Sequence, residues 1–370
     1  MIFLVSCKTL REYLADIAPP YLEADWDNSG PQILSGREQV GAVMIGLDPS
    51  LDFISTGVEA GADLLLTHHP LIFSRLSKID RNTLTGKKVC SLIENQLDLI
   101  AIHTPMDQSS SGLSQGLADR LELNSTSPLK PAGKANLFKL EVFVPETVKE
   151  KVLSALLDAG AGRVGNYSDS YYSSSGQGHF KPLESSDPYT GEKNRAQSTE
   201  EVKLEFMVRK KFRTRVVSAL ERSHPYEEPG FSLYETDRQE TGLGLGRLGK
   251  WDEERDLGEV KSLVNRTLGV DREEIKTSGK LTEPIKWIGA SPGAGGEAIK
   301  PARRAGLELL ITGELDYHER QEAVETGLTV MEIGHYHSEK VFVPWTRDLL
   351  RERFDSDELT IELYEEEDKS

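Results

Sequence analysis

The stretch Ala60-Gly61-Ala62-Asp63-Leu64-Leu65-Leu66-Thr67 decides the fold of this chain, because it recurs far along the sequence. Its counterpart is Ala305-Gly306-Leu307-Glu308-Leu309-Leu310-Ile311-Thr312. In both copies an Ala-Gly pair leads into an apolar run with the character of a buried strand. We interpret the two copies as duplicated βα units.

The regions around both copies alternate short β-rich runs with helical periods, which is typical of βαβ units and a largely parallel sheet. Around the first copy we predict strands at Ala42–Leu47, Leu64–Thr67 and Leu99–Ile102 and helices at Leu51–Ala60 and Lys87–Gln96. Around the second we predict strands at Ile285–Ile288, Leu307–Thr312 and Leu328–Ile333, helices at Ala298–Ala305 and Tyr317–Glu325, and a long amphipathic helix ending near Phe354. The two regions are therefore predicted to be halves of one domain.

The middle of the chain has a different composition. Its predicted strands lie at Leu140–Val144, Val202–Val208 and Phe231–Tyr234, and its predicted helices at Glu146–Ala159 and Arg213–Ser223. Two βα units of similar size predict a small ferredoxin-like α+β domain. The polar segment Ser168–Glu200 is expected to be an extended hairpin or a mobile loop.

The predicted fold class is therefore α/β, a pseudo-duplicated βα domain interrupted by a ferredoxin-like α+β domain. The boundaries are 1–130 with 240–370 for the first domain and 138–238 for the inserted one. The run Gly244–Gly249 satisfies a dinucleotide-binding pattern, but it does not open a βαβ unit. We interpret that run as the strand and turn that re-enter the first domain.

The composition excludes several classes of protein. A formal net charge of −17 argues against nonspecific binding to DNA or RNA, which depends on an excess of Lys and Arg. No stretch approaches the roughly 20 apolar residues that cross a bilayer, and Met1–Cys7 lacks the basic start of a secretory signal, so we expect a cytoplasmic protein. Cys7 and Cys90, the two cysteines, argue against a disulfide framework and a thiolate zinc cluster.

The stretch that decides the fold runs directly into His68 and His69, and Pro70 stops the strand from continuing. In an open parallel sheet, ligands bind outside the carboxyl ends of the strands, so this pair lies where a site is expected. Taken alone, a His-His pair at a strand end more often hydrogen-bonds locally or lies at the surface. A functional interpretation therefore needs partners from other strands.

Two further predicted strands end in potential metal ligands. Asp107 follows the strand at 99–102, and His335 and Glu339 follow the strand at 328–333. If a helix begins at His335, the two side chains share a face, as two ligands of one metal site must. Alone, Asp107 could instead cap the next helix, and the other two could be an exposed pair. Three strand ends that bring imidazoles and carboxylates to one sheet edge indicate a metal site.

Three imidazoles and two carboxylates suit zinc, iron, manganese, cobalt or nickel rather than calcium or magnesium. Five protein groups exceed what one catalytic metal with an open position uses, so two ions that share a bridging carboxylate is the better count. Glu339 is the candidate bridge. Two ions about 3.5–4 Å apart lower the pKa of a shared water, so the ligand set predicts a hydrolase.

Two more histidines are candidate catalytic residues. His318 follows the strand end that the repeat matches to His68, so it could donate a proton in the metal pocket, or it could be a solvated helical residue. His103 could orient a metal ligand or bond to the backbone. His337 is expected to be exposed.

Several motifs carry a resemblance to a known family. They are Trp26-Asp27-Asn28-Ser29-Gly30, Asp63–Phe73, His103–Asp107, Thr312-Gly313-Glu314 and Gly334–Glu339. Together they resemble the hexameric dinuclear-metal-centre proteins labelled GTP cyclohydrolase I type 2 homologs, over nearly the whole chain. Pro105 and Met106 depart from the Asn and Leu usual in that family, while the metal-binding Asp107 is kept.

The resemblance implies a division of the ligands between two divalent metal ions per subunit, with zinc, iron or manganese as the candidates. His68 and His335 would bind one ion, His69 and Asp107 the other, and Glu339 would bridge them. The middle of the chain is similar to the signalling-protein-like insert of longer members, through motifs that include Ser223–Glu228. In that segment acidic and aromatic groups could form a small site, or the segment could be a helix-ending turn.

The resemblance further implies a toroidal homohexamer, and it leaves two functions open. The first is a metal-dependent hydrolase of a small nucleotide-like or phosphorylated substrate, with His318 or His103 assisting proton transfer. The second is a non-enzymatic metal-binding or regulatory scaffold whose inserted domain binds a small-molecule effector.

Overall fold

In the computed structural model of the chain, the two copies of the repeated stretch adopt the same local structure. Each is a turn that follows a helix and leads into a buried strand, which begins at Leu64 in the first copy and at Leu309 in the second. Gly61 and Gly306 both have a left-handed backbone, with φ of 71° and 69°. Because this conformation suits glycine and ends the preceding helix, the two glycines have the same physical role.

The structure describes residues 4–133, 136–165, 167–280 and 284–366. Its strands are β1 (Val5–Ser6), β2 (Gly30–Ile33), β3 (Gln39–Val40), β4 (Ala42–Gly46), β5 (Leu64–Thr67), β6 (Asp98–Ala101), β7 (Asn124–Pro131), β8 (Asn136–Pro145), β9 (Tyr171–Phe180), β10 (Gln197–Val208), β11 (Phe231–Gln239), β12 (Gly244–Arg255), β13 (Lys276–Ser278), β14 (Ile285–Ala294), β15 (Leu309–Glu314), β16 (Thr329–Glu332) and β17 (Thr360–Leu363). Its helices are α1 (Cys7–Ile17), α2 (Leu51–Glu59), α3 (Leu84–Glu94), α4 (Thr104–Gln108), α5 (Leu113–Arg120), α6 (Lys149–Asp158), α7 (Arg213–Ser223), α8 (Leu257–Leu268), α9 (Gly296–Arg304), α10 (Tyr317–Glu325), α11 (His335–Glu339) and α12 (Phe342–Arg351). The mixed α/β fold predicted from the sequence is confirmed.

The chain divides into two compact units. Unit 1 consists of Met1–Ala132 and Gly242–Ser370, and unit 2 consists of Gly133–Thr241. Among the described residues, no helix combines the length and the apolar character needed to cross a lipid bilayer.

The first copy of the repeat lies in a five-stranded sheet of unit 1, with the order β17-β4-β5-β6-β2. The first four of these strands are parallel, and β2 is antiparallel at the edge. Helix α2 connects β4 to β5, and it begins where the Ser50 side chain accepts a hydrogen bond from the Phe53 N–H. The βαβ unit predicted from the sequence is therefore present.

The second copy lies in a six-stranded sheet of unit 1, with the order β13-β16-β15-β14-β12-β7. Strands β14, β15 and β16 are parallel, while β13, β12 and β7 pair antiparallel at the two sides. Strand β15 is flanked on both sides by parallel strands, as β5 is in the other sheet. Thr67 and Thr312, matched by the repeat, are both fully buried.

The sequence predicts that the candidate ligands meet at one sheet edge, and this expectation is wrong, because β5 and β6 lie in the five-stranded sheet and β16 lies in the six-stranded sheet. The two sheets share one core. Its contacting buried side chains include Ile45 and Leu66 from the first sheet and Ile288 and Ile311 from the second. Each Å² of apolar surface that the two sheets bury between them contributes about 25 cal/mol to the stability of this arrangement.

Unit 2 follows the order strand, helix, strand, strand, helix, strand, from β8 to β11. Its sheet is antiparallel with the order β11-β8-β10-β9, and a separate core is formed by one face of the sheet and helices α6 and α7. Strands β9 and β10 pair from Tyr171 opposite Phe206 to Phe180 opposite Gln197. Of the two expectations for Ser168–Glu200, the structure therefore has the extended hairpin.

Two further predictions from the sequence concern where helices and strands begin and end. The predicted long helix ending near Phe354 is divided into α11 and α12, which are separated at Lys340 and Val341. The run Gly244–Gly249 lies in β12 and leads the chain back into the six-stranded sheet, as predicted.

Candidate metal centre

All five predicted ligands lie in unit 1, just beyond the carboxyl ends of three strands. His68 and His69 follow β5, Asp107 lies in α4 after β6, and His335 and Glu339 begin and end α11 after β16. Strands β5 and β6 are neighbours in the five-stranded sheet, whereas β16 belongs to the six-stranded sheet. The rule that ligands gather at carboxyl ends therefore holds for both sheets at once.

Glu339 lies at the centre of the cluster and is only 5% exposed. Its Oε2 is 3.1 Å from His335 Nε2 and 3.2 Å from His69 Nε2. Its Oε1 is 3.9 Å from His68 Nε2. The two oxygens of one carboxylate thus face imidazoles supplied by both sheets.

His68 and Asp107 form a second close contact within the cluster. The His68 ring is fully buried, and its Nε2 is 3.6 Å from Asp107 Oδ1. Within the described part of the chain, His68 Nε2, Asp107 Oδ1 and Glu339 Oε2 are buried and make no hydrogen bond. Buried polar atoms normally have a partner, so three such donor atoms in one cluster fit a site for a cation.

Hydrogen bonds at Nδ1 orient the imidazoles. Nδ1 lies 2.9 Å from Asp48 Oδ1 in His69, 2.9 Å from Glu314 Oε1 in His335, 2.8 Å from Asp27 Oδ1 in His103 and 3.1 Å from the Ile102 carbonyl oxygen in His68. An acceptor at Nδ1 fixes a proton there, so a neutral ring directs the lone pair of Nε2 into the cluster. This arrangement is the usual support of a metal-binding histidine.

His103 is part of the same cluster, whereas His318 is not. His68, His69 and His103 each place a ring nitrogen within 4.8 Å of the others. Among the described residues, the groups close enough to share a metal ion do not include His318, which is exposed on α10 with its ring against Tyr317. His337, expected to be exposed, is instead buried.

Burial and neighbouring charges divide the cluster into two protonation environments. Burial alone would lower the pKa of His69, but its hydrogen bond to Asp48 and the nearby charges of Glu339 and Asp48 raise it to about 10. Close contact with the Glu339 carboxylate, aided by Glu314, raises the pKa of His335 to about 9. Burial opposes ionisation of Glu339, but its imidazole partners hold its pKa well below the ordinary range. In the metal-free protein at neutral pH, His69 and His335 are therefore protonated and Glu339 is ionised.

The environment of His68 and Asp107 favours the uncharged form of both side chains. Burial lowers the pKa of His68 to about 3 and raises the pKa of Asp107 to about 7. Desolvation outweighs the attraction of neighbouring charges at both positions. The centre therefore combines neutral and charged donors at neutral pH, and a cation that entered it would compete with the protons on His69 and His335.

Gly293, at the end of β14, makes room for the central carboxylate. Its backbone is left-handed, with φ of 63°, and its N–H donates to Ser338 Oγ at 2.9 Å. A Cβ at this position would collide with Glu339 Oε1. Both the backbone conformation and the position of the carboxylate therefore require glycine here.

Sequence reasoning did not assign the carboxylates that orient the histidines, although a signal for two of them was present. Asp48 follows β4 and Glu314 ends β15, so the rule that located His68 applies to both strands. Asp27 lies in a loop and its carboxyl hydrogen-bonds His103 and Thr104. No periodicity or strand end marks Asp27, so only tertiary structure shows its role.

The fold and the cluster define an α/β protein in which two βα sheets present a histidine–carboxylate centre and a second unit interrupts the chain. The sequence model of the Duf34/NIF3 (NGG1p interacting factor 3) family matches residues 5–369. The chain belongs to this family.

Relatives and solved structures agree with that assignment. The chain is 35% identical over 318 residues to a GTP cyclohydrolase 1 type 2 homolog of Halalkalibacterium halodurans, covering 86% of this chain and 85% of the relative. It is 32% identical over 337 residues to a Bacillus subtilis protein of the same name, covering 91% and 90%. The crystal structure of a Bacillus cereus protein related to NIF3 superposes with a TM-score of 0.88 at 31% identity, covering 99% of this chain and 98% of that one.

We expect the metal-free protein to lose stability as the pH rises from about 7 to about 10. Folded His69 and His335 keep protons that the unfolded chain releases near the ordinary histidine value of 6.5. Their contribution to the free energy of unfolding is complete below that value and is lost as the pH passes about 9 and about 10. Urea unfolding of chelator-treated protein at both ends of this range measures the decline.

Matched variants test whether His69 and His335 cause this decline in stability. His69→Gln and His335→Gln should each reduce the decline in stability, while the exposed His318→Gln should decline as the wild type does. The same decline in all four proteins would contradict the assignment.

We also expect Gly293→Ala to cost more stability than Gly306→Ala. Both positions have a left-handed backbone, where a side chain costs about 1–2 kcal/mol. Only at 293 does the added methyl group also meet the Glu339 carboxylate, since among the described residues nothing lies within 4 Å of a Cβ at 306. Urea denaturation compares the two variants, and equal losses would rule out a steric role for Gly293.

Proposed function

We propose that the cluster in unit 1 binds two divalent metal ions. The observation that carries this proposal is a set of buried atoms without hydrogen bonds, His68 Nε2, Asp107 Oδ1 and Glu339 Oε2. His68 Nε2 lies 3.6 Å from Asp107 Oδ1 and 3.9 Å from the second Glu339 oxygen, Oε1. Imidazole nitrogens and carboxylate oxygens together suit zinc, iron or manganese. The hydrogen bonds at Nδ1 would hold the imidazoles ready for such ions.

The distances favour a division of the ligands that differs from the one implied by family resemblance. His69 and His335 both approach Glu339 Oε2, at 3.2 and 3.1 Å. His68 approaches Asp107 Oδ1 and, more distantly, Glu339 Oε1. We therefore propose one ion at His69 and His335, a second at His68 and Asp107, and Glu339 shared by both.

We propose further that the protein is a hydrolase of a small nucleotide-like or phosphorylated molecule. Two bound ions would supply Lewis acidity and a water molecule of lowered pKa. His103, whose Nδ1 is held by Asp27, has its ring 5.1 Å from that of His68 and 5.4 Å from that of His69. It is the candidate for proton transfer at this centre, while the role predicted for His318 stays a prediction.

Exposed aromatic rings beside the centre support a substrate with a planar ring. Trp26 is 57% exposed and Phe73 54%, with their ring centroids 5.8 Å apart. The Trp26 ring also contacts that of His103 at 5.7 Å. A continuous aromatic surface thus runs from the metal centre to solvent, and such a surface can stack a base.

We propose the assembly that family resemblance implies, a toroidal homohexamer in the cytoplasm. The strand order of unit 2 supports its interpretation as a ferredoxin-like inserted domain. The matched structures of 60–67 and 305–312 support the interpretation of unit 1 as a duplication.

Metal content tests the centre and the division of its ligands. We expect Glu339→Ala to lose both ions, because it removes the shared carboxylate, and His69→Ala to lose one. The double variant His69→Ala/His335→Ala should still keep one ion, whereas the division implied by resemblance predicts the loss of both. Elemental analysis of purified protein measures the ratio of metal to chain.

The exposed His318→Ala provides the matched control for this experiment and should keep both ions. Two ions retained in Glu339→Ala would overturn the metal centre itself. Loss of both ions in the double variant would overturn only the division proposed from the distances.

Activity is tested with metal-loaded protein against nucleotides and simple phosphoesters. We expect turnover that requires added metal, and we expect Trp26→Ala to raise KM roughly tenfold for ring-bearing substrates, in line with about 1–3 kcal/mol per stacked base. Trp287→Ala, which removes an exposed tryptophan from β14, should leave KM unchanged. No turnover of any class with both ions bound would count against a hydrolase, and an unchanged KM in Trp26→Ala would remove only the aromatic surface from the proposal.

A further inference from the structure

Unit 2 contains a cavity of about 620 Å³ that the metal centre does not use. This volume lies within the range of pockets that enclose small organic molecules. The cavity is lined by β9, the loop between β9 and β10, the start of β10 and the segment at 226–230. All of these elements belong to unit 2, so the cavity is a property of that unit alone.

One wall of the cavity is aromatic. The Tyr226 ring centroid lies 6.1 Å from that of Tyr189 and 6.4 Å from that of Phe180. Phe143 also lines the cavity and is 41% exposed, and Tyr189 is 48% exposed. Several aromatic faces are therefore exposed in the cavity and available to a ligand. Exposed apolar surface of this kind often marks a binding site.

The charged side chains that line the cavity are mostly acidic. Carboxylates outnumber lysines by four to two, and they are Asp187, Glu201, Glu227 and Glu228, against Lys181 and Lys203. Lys203 lies 3.1 Å from a carboxylate oxygen of Glu141 and 3.3 Å from one of Glu205. Its charge is thus largely balanced by acidic neighbours, and the cavity favours a cation over an anion.

Glu201 is a carboxylate that the surrounding structure holds in place. Along β10, Val202 and Leu204 alternate with it and enter the core, so Glu201 lies on the opposite face of the sheet. Its Oε1 accepts a hydrogen bond of 2.8 Å from the Tyr226 hydroxyl. A side chain at Gly178 on the paired strand would occupy the space of the Glu201 carboxylate. A held carboxylate beside an aromatic wall is the combination that recognises an organic cation.

We propose that this cavity binds a small organic cation, an amine or amidine attached to a planar ring, with the cationic group at Glu201 and the ring against Tyr226 and Tyr189. The aromatic faces supply cation–π attraction and ring stacking, and the carboxylate supplies a charge-assisted hydrogen bond. The site is separate from the metal centre and does not depend on the function proposed there. It gives unit 2 a ligand-binding role of its own.

Three probes of the same shape and different charge test this proposal on the full chain. Isothermal titration calorimetry with benzamidine, benzamide and benzoate compares a cation, a neutral molecule and an anion. We expect benzamidine to bind at least about tenfold more tightly than benzamide, with no binding of benzoate. No binding of benzamidine, or binding of benzoate as tight as that of benzamidine, would overturn the proposal.

Paired variants locate the binding. Glu201→Gln should weaken benzamidine binding about tenfold. Glu200→Gln, the neighbour that hydrogen-bonds Gln177, should have no effect. Tyr189→Ala should weaken binding a few-fold, while Tyr234→Ala removes a ring of similar exposure on β11 that does not line the cavity and should leave the affinity unchanged. Circular dichroism verifies that each variant is folded, and equal effects within either pair would overturn the assignment to this cavity.

Discussion

Glu339 carries the constraint on which the rest of unit 1 depends, because it is a buried carboxylate that cannot stay ionised without partners. An unpaired charge in a protein interior costs several kcal/mol, and breaking a buried pair is correspondingly destabilising. The imidazoles that offset this cost come from two sheets, His68 and His69 from one and His335 from the strand end of the other. The sheets must therefore stay in fixed register, and their shared core of buried side chains holds them there.

Orientation of the imidazoles is set from outside the cluster. Asp48, Glu314 and Asp27 each lie within hydrogen-bonding distance of one Nδ1. These contacts keep the rings in place whether protons or a cation occupy the inner side. The atoms inside the cluster therefore determine what can bind there, and the carboxylates outside it keep the imidazoles aligned.

The sequence predicts the local elements well, because strands such as Leu64–Thr67 are continuous apolar runs and His68 and His69 follow directly. It also indicates that residues more than 200 positions apart belong together, since a repeat implies equivalent structure. It does not predict the division into two sheets, because periodicity describes single strands and not their neighbours. For the same reason Gly293 passes unnoticed, as its role depends on the approach of Glu339 in three dimensions.

The position of α11 near the end of the chain has a consequence for biosynthesis. A nascent chain that has emerged as far as α4 already contains His68, His69 and His103, but it has no Glu339 to pair with His69. Assembly of the centre must wait until both the interrupting unit and the second sheet have left the ribosome. A chain released before residue 339 lacks Glu339 and cannot form the complete centre. Only a chain translated past residue 339 can therefore form it.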